Sequence, residues 1–131
     1  MTSVQSPTII VKPFGVHQQA IVMLGDMQFV VGSAMIRETK SQPSRPLELL
    51  LATLATDCTF TCQEGAVALG LPLNNFSALA QWLDPKTAEI RFTITGSNEQ
   101  QMRDLIRYIK ENSTIYKLLA PGVTINLRFH K

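Results

Sequence analysis

Only two cysteines occur in the 131 residues, too few for the disulfide framework of a small secreted domain. The opening segment MTSVQSPTIIVKPF lacks a charged stretch followed by an apolar one, so no signal peptide is expected. No apolar run approaches the roughly 18 residues of a membrane span. The longest, Leu47 to Ala55, is interrupted by Glu48 and Thr53. Charge of one sign is scarce as well: 12 Lys and Arg against 10 Asp and Glu give +2, with no basic block or stripe. Affinity for phosphate needs clustered cations, so neither nucleic acid nor a membrane is expected as a partner. What is present is a 45% hydrophobic, 17% charged composition, which suits a packed globule rather than a disordered chain. These features predict a cytoplasmic protein folding as a single domain over residues 1–131. At this length a core can form without metal or disulfide staples.

The first third alternates like a sheet. Thr8 to Lys12 is a β-branched run, and His17 to Leu24 leads through Gly25-Asp26 into Met27 to Gly32. Glycine first in a two-residue loop suits a type II′ hairpin, where that position needs φ > 0. The polar stretch Arg37 to Arg45 reads as a loop. Pro46 then fits a first helical turn, where its missing N–H costs nothing. From Leu47 to Leu69 only Gly65 weakens a long helix, and Gly70 and Pro72 end it. Between Leu49 and Cys62 that helix is apolar on nearly every face, which places it in an interior or at a subunit interface.

Strand patterns return at Phe76 to Leu83 and Thr87 to Thr95, joined by a turn at Asp84-Pro85-Lys86. Ser97 and Gln100 have the spacing of a capping box. They precede an amphipathic helix with the stripe Met102, Leu105, Ile106 and Ile109. A short turn at Tyr116 to Leu119 and a closing strand over Val123, Ile125, Leu127 and Phe129 complete the chain. Strands, long helix, strands, helix and strand in that order predict an α+β fold. His17 and His130 read as surface residues, and Trp82, Phe92 and Met102 as core.

Cys58 and Cys62 stand at i and i+4 on one helical face. Free cysteines are among the most buried residues, so packing alone accounts for the pair. Two cysteines with no nearby histidine leave half of a zinc site missing, and neither a metal nor another cofactor is expected. A disulfide between them would be strained, because their Cβ vectors run parallel along the helix. Asp57, next to Cys58, would raise the thiol pKa if charged and close, or would face solvent or a cation.

The stretch Pro46-Leu-Glu48-Leu-Leu-Leu-Ala-Thr-Leu-Ala-Thr-Asp-Cys58 resembles the P-x-E-L-L-x-A-x-x-x-x-C signature of the OsmC/Ohr family, the osmotically inducible and organic hydroperoxide resistance proteins. Gly70-Leu-Pro-Leu and the later order of strands and helix are similar too. The resemblance implies antiparallel sheets around a long buried central helix, an intertwined homodimer, and thiol-dependent reduction of organic hydroperoxides in an oxidative stress response. In the family a first cysteine, here Cys58, attacks the peroxide as thiolate and becomes sulfenic acid. A second cysteine in a later helix resolves it, and an arginine paired with the glutamate, here Glu48, supports the thiolate. A neighbouring cation lowers a thiol pKa, and sulfenic acid condenses with a thiol, so the scheme is chemically coherent.

The sequence departs from that pattern twice. In Glu111-Asn-Ser113-Thr-Ile-Tyr-Lys-Leu-Leu119, Ser113 stands where the second cysteine belongs, and residues 1–20 contain no arginine. Arg37 and Arg45 are alternatives that no motif assigns. Glu48 is also favoured in a first turn simply by the helix dipole. At about 1.5 Å rise per residue it lies on the order of 15 Å along a straight helix from Cys58, so only a partner's Cys58 is within its reach. Two readings follow. In one, Cys58 reacts with a small organic hydroperoxide or another thiol-reactive ligand, and Cys62 or an external thiol reductant resolves the product. In the other, the chain is a catalytically silent binding or structural protein whose cysteines merely pack.

Overall fold

The computed structural model describes residues 9–14, 19–32 and 46–130. His17 and the Arg37–Arg45 segment, both arginines included, lie outside the described residues. Contacts divide the chain into two units, Met1–Leu49 and Leu50–Lys131.

The first unit carries an antiparallel sheet of β1 (Ile9–Phe14), β2 (Gln19–Leu24) and β3 (Met27–Gly32), in that order. The β2–β3 hairpin closes as its sequence predicts. Gly25 has φ 57° and Asp26 stays out of the positive region, the combination of a II′ turn rather than I′. The pairing then runs in register from Leu24 against Met27 to Gln19 against Gly32.

Helix α1 (Pro46–Leu69) opens on Pro46 and ends at Gly70. Gly70 takes φ 68°, while its N–H bonds Val67 O and the Leu71 N–H bonds Ala66 O. Those two bonds are a Schellman closure, which only a residue tolerant of left-handed φ completes without strain. Leu51, Leu54, Cys58, Thr61, Cys62, Gly65 and Ala66 form the buried face of α1. On its other side Phe60 and Val67 are 59% and 83% exposed.

The second sheet has the order β4 (Asn74–Asp84), β5 (Thr87–Thr95) and β6 (Thr124–His130). The β4–β5 turn is fixed by Asp84, whose carboxylate accepts the Lys86 N–H at 2.8 Å. Strand β6 lies parallel to β5. The connection carries α2 (Glu99–Asn112) and α3 (Thr114–Leu119), long enough for the crossover a parallel neighbour needs. The α2 cap sits one residue later than the sequence predicts. Asn98 and Gln101, not Ser97 and Gln100, form the capping box, because Asn98 leaves the helical region at φ −92°, ψ 174° and aims its side chain at the Gln101 N–H.

The core of the second unit lies between α1, α2 and the inner face of this sheet. Ala88, Ile90 and Phe92 of β5, Leu105 and Ile109 of α2, and Ile125 and Leu127 of β6 surround Leu54, Cys58 and Cys62. Phe92 anchors it, stacked on Phe76 at 5.8 Å and tilted against Phe129 at 5.3 Å between centroids. Gly65 faces Tyr108 of α2 at close range. A Cβ there would lie 2.7 Å from the Tyr108 ring, so the glycine admits α2 to α1 rather than weakening the helix to no purpose. On the outer face of β5, Glu89 is buried between the Nε atoms of Arg91 at 2.8 Å and Arg128 at 3.3 Å. Among the described residues no helix is long and apolar enough to cross a membrane.

Candidate thiol site

Cys58 projects from the buried face of α1 toward the junction of α2 and α3, with none of its surface exposed. Across from it stands Ser113, the single residue between the two helices and equally buried. Its extended backbone, φ −75° and ψ 117°, ends α2 and caps α3. The Cys58 Sγ and Ser113 Oγ atoms are 3.8 Å apart. Position 113, which sequence comparison aligned with a second thiol, is therefore beside Cys58 in space.

Asp57 completes the group. Its Oδ2 accepts the Ser113 hydroxyl at 2.6 Å and the Ile115 N–H at 3.1 Å. Half-buried, it is thus turned toward the start of α3. The Ser113 oxygen in turn accepts the Tyr116 N–H at 3.1 Å. A hydroxyl has one proton and two lone pairs. With the proton on Asp57 and one lone pair facing Tyr116, the second lone pair faces the Cys58 S–H.

These surroundings hold the thiol neutral. Burial pushes Cys58 up to about 11; a Ser113 hydroxyl donating to the sulfur would lower it, and the Asp57 charge adds to the rise. Burial pushes Cys62 to about 12, with a further contribution from Cys58. Burial also raises the Tyr116 phenol, and the charge of ionised Cys58 adds to that rise. The activated, low-pKa thiolate that the family resemblance implies is not the resting state here: burial raises both thiols. Both cysteines are free thiols. Among the described residues, no three His, Cys, Asp or Glu side chains gather to hold a metal.

Glu48 occupies the exposed first turn of α1, while Cys62 lies one turn beyond Cys58 on the buried face. The structure brings together Cys58, Ser113 and Asp57, whose charge raises the Cys58 thiol as its proximity suggests, and adds the start of α3. One signal for Asp57 was available: it is the only charged residue between Glu48 and Glu64. A lone carboxylate on such an apolar helix must find donors.

A mixed α+β fold presenting a helical thiol toward a second helix junction defines the class. A family profile described as OsmC-like protein matches residues 39–128, more than half of the chain. The chain belongs to the OsmC-like protein family, as its Pro46–Cys58 signature predicts. Solved structures agree on the fold. An OsmC-like protein from Mycoplasma pneumoniae superposes with a TM-score of 0.79 at 14% identity, covering 96% of each chain. An organic hydroperoxide resistance protein OsmC from Legionella pneumophila gives 0.75 at 17% identity, covering 95% of this chain and 97% of its own. The organic hydroperoxide resistance protein OhrB of Bacillus subtilis gives 0.74 at 12% identity, covering 94% and 98%. No curated protein shows a significant sequence match.

Proposed function

We propose that this protein uses Cys58 to reduce small organic hydroperoxides, with an external thiol in place of a second protein thiol at position 113. The observation that supports this reading is the 3.8 Å between Ser113 Oγ and Cys58 Sγ, a separation at which a second sulfur at position 113 would face the first. In the reaction the Cys58 thiolate attacks the outer peroxide oxygen and the O–O bond breaks. The alkoxide leaves and takes up a proton as the alcohol, and sulfur is oxidised by two electrons to sulfenic acid. Serine cannot condense with it, so a small thiol attacks the sulfur, releases water and leaves a mixed disulfide. A second external thiol then restores Cys58. The reading also requires a second copy of the chain to cover the exposed face of α1, and it gives Glu48 a role only toward the partner's site.

A silent member of the family is the second reading, favoured by the complete burial of Cys58 and by Asp57 beside it. Hydroperoxide consumption in the presence of a dithiol separates the two. Consumption lost in Cys58→Ala and kept in Cys62→Ala supports the peroxidase reading; no consumption by the wild type leaves the silent one.

A further inference from the structure

We propose that Asp57 is a positioning residue that couples access to Cys58 with its ionisation, because one carboxylate both ties down the start of α3 and reserves the Ser113 proton. This rests on reading Cys58 as the reactive thiol, but its test uses no peroxide.

Two bonds carry the inference. Asp57 Oδ2 holds the Ser113 hydroxyl at 2.6 Å, in the short range of charge-assisted O–H···O⁻ bonds, and the Ile115 N–H at 3.1 Å. Both partners belong to the few residues that open α3. That helix is six residues long with no fully buried side chain, and Leu118 is 69% exposed. Helix α2, by contrast, is rooted by Met102, Leu105 and Ile109. Ile115, Tyr116 and Leu119 pack on the core only half-buried, so α3 is held more lightly than α2, and Asp57 ties its start to α1 by hydrogen bonds. A reagent must displace part of this shell to reach a thiol with no exposed surface.

Proton counting supplies the second half. A thiolate gains from a donated hydrogen bond. Ser113 has its hydroxyl 3.8 Å from the sulfur, and its one proton is donated to Asp57. While the tie holds, Cys58 meets a lone pair and, behind it, a negative charge. Ser113 is held to α2 by its N–H on Ile109 O, so when α3 swings away and takes Ile115 from Asp57, Ser113 stays beside Cys58 and its hydroxyl is freed to turn from the carboxylate toward sulfur. Opening and activation are then one event. Asp57 and Cys62 from α1, with Ser113 and Tyr116 from the α3 side, are the groups that bear on the thiol; among the described residues none of these is a cation.

The test is alkylation of Cys58 and Cys62 by iodoacetamide, followed by mass spectrometry across pH, in the full-length wild type and in Asp57→Asn. The nearly isosteric variant removes the charge and the obligatory acceptor. The expected result is a half-ionisation pH for Cys58 lower by at least about one unit, hence roughly tenfold faster labelling at a fixed pH below it, with Cys62 unchanged. Equal acceleration of both thiols marks general loosening and overturns the proposal, as does an unchanged Cys58 profile. Hydrogen exchange of the wild type adds a check that needs no variant. Cys58 labelling is expected to go no faster than opening of the Ile115 and Tyr116 amides. Labelling that outruns both amides contradicts the coupling.

Discussion

At position 113 an oxygen lies 3.8 Å from the Cys58 sulfur, and replacing it by sulfur tests how completely the site is otherwise arranged. Ser113→Cys is expected to yield a 58–113 disulfide on mild oxidation, read as intact mass and peptide linkage without reductant. Bridging the two then needs only side-chain adjustment toward the ~2.05 Å S–S bond, whereas a Cys58–Cys62 bridge must distort the helix. Failure to form the 58–113 bond would show that the two positions do not face each other in solution. The raised thiols also predict a pH dependence. An unfolded chain loses its thiol protons near the ordinary value of 9.0, while the folded protein keeps them to about 11 at Cys58 and about 12 at Cys62. Above pH 9 the unfolded state thus binds fewer protons, and stability falls as pH rises through this window. The slope is at most about 1.4 kcal/mol per unit for each thiol. Urea midpoints at pH 8 and pH 10 should separate more for the wild type than for Cys58→Ala/Cys62→Ala; equal separations would remove the thiols as the cause. From sequence, Cys58 and Ser113 could be singled out because a signature and a segment pattern mark them. Asp57 could not be assigned, since its role depends on a hydroxyl 56 residues away.

Among the elements, local chemistry made most boundaries legible: Pro46 and Gly70 bound α1, Gly25 sets the hairpin, and the alternation of Ile90, Phe92 and Ile94 marks the inner face of β5. The shift of the α2 cap from Ser97 to Asn98 has a local cause too, since adjacent polar residues offer two frames and only the final backbone turn chooses between them. Contacts distant in sequence were not legible. Gly65 reads as a soft point in a helix, yet its missing Cβ is what admits Tyr108. Gly65→Ala gains about 1 kcal/mol of helix propensity, but the new methyl would sit 2.7 to 2.8 Å from the Cδ1 and Cγ atoms of that ring. Overpacking of this kind costs roughly 1–3 kcal/mol and involves the root of the side chain, so net destabilisation is expected in chemical denaturation. Gly122→Ala, where nothing lies within 4 Å of the new Cβ, is the matched control and should change little. A Gly65→Ala protein as stable as the wild type would mean that α1 and α2 are not packed this closely.

For the whole molecule, exposed apolar side chains on α1 are the reason to expect a second copy. Phe60 and Val67 lie seven residues apart on α1 and are 59% and 83% exposed, so they fall on one side of the helix. The account expects a homodimer at micromolar concentration by light scattering, and dissociation in Phe60→Asp/Val67→Asp; a well-folded wild-type monomer would refute that assembly. The apolar character of α1 was visible in the sequence, whereas which side lacks cover became visible only once the opposite side was seen packed on β5 and α2. Function turns most directly on what Cys58 becomes. Intact-protein and peptide mass spectrometry after one equivalent of an organic hydroperoxide reads this without assuming any turnover. The account predicts sulfenic and then sulfinic acid at Cys58, or a mixed disulfide there when a small thiol is supplied. A rapid, stoichiometric Cys58–Cys62 disulfide, or a Cys58 left unoxidised, would contradict it.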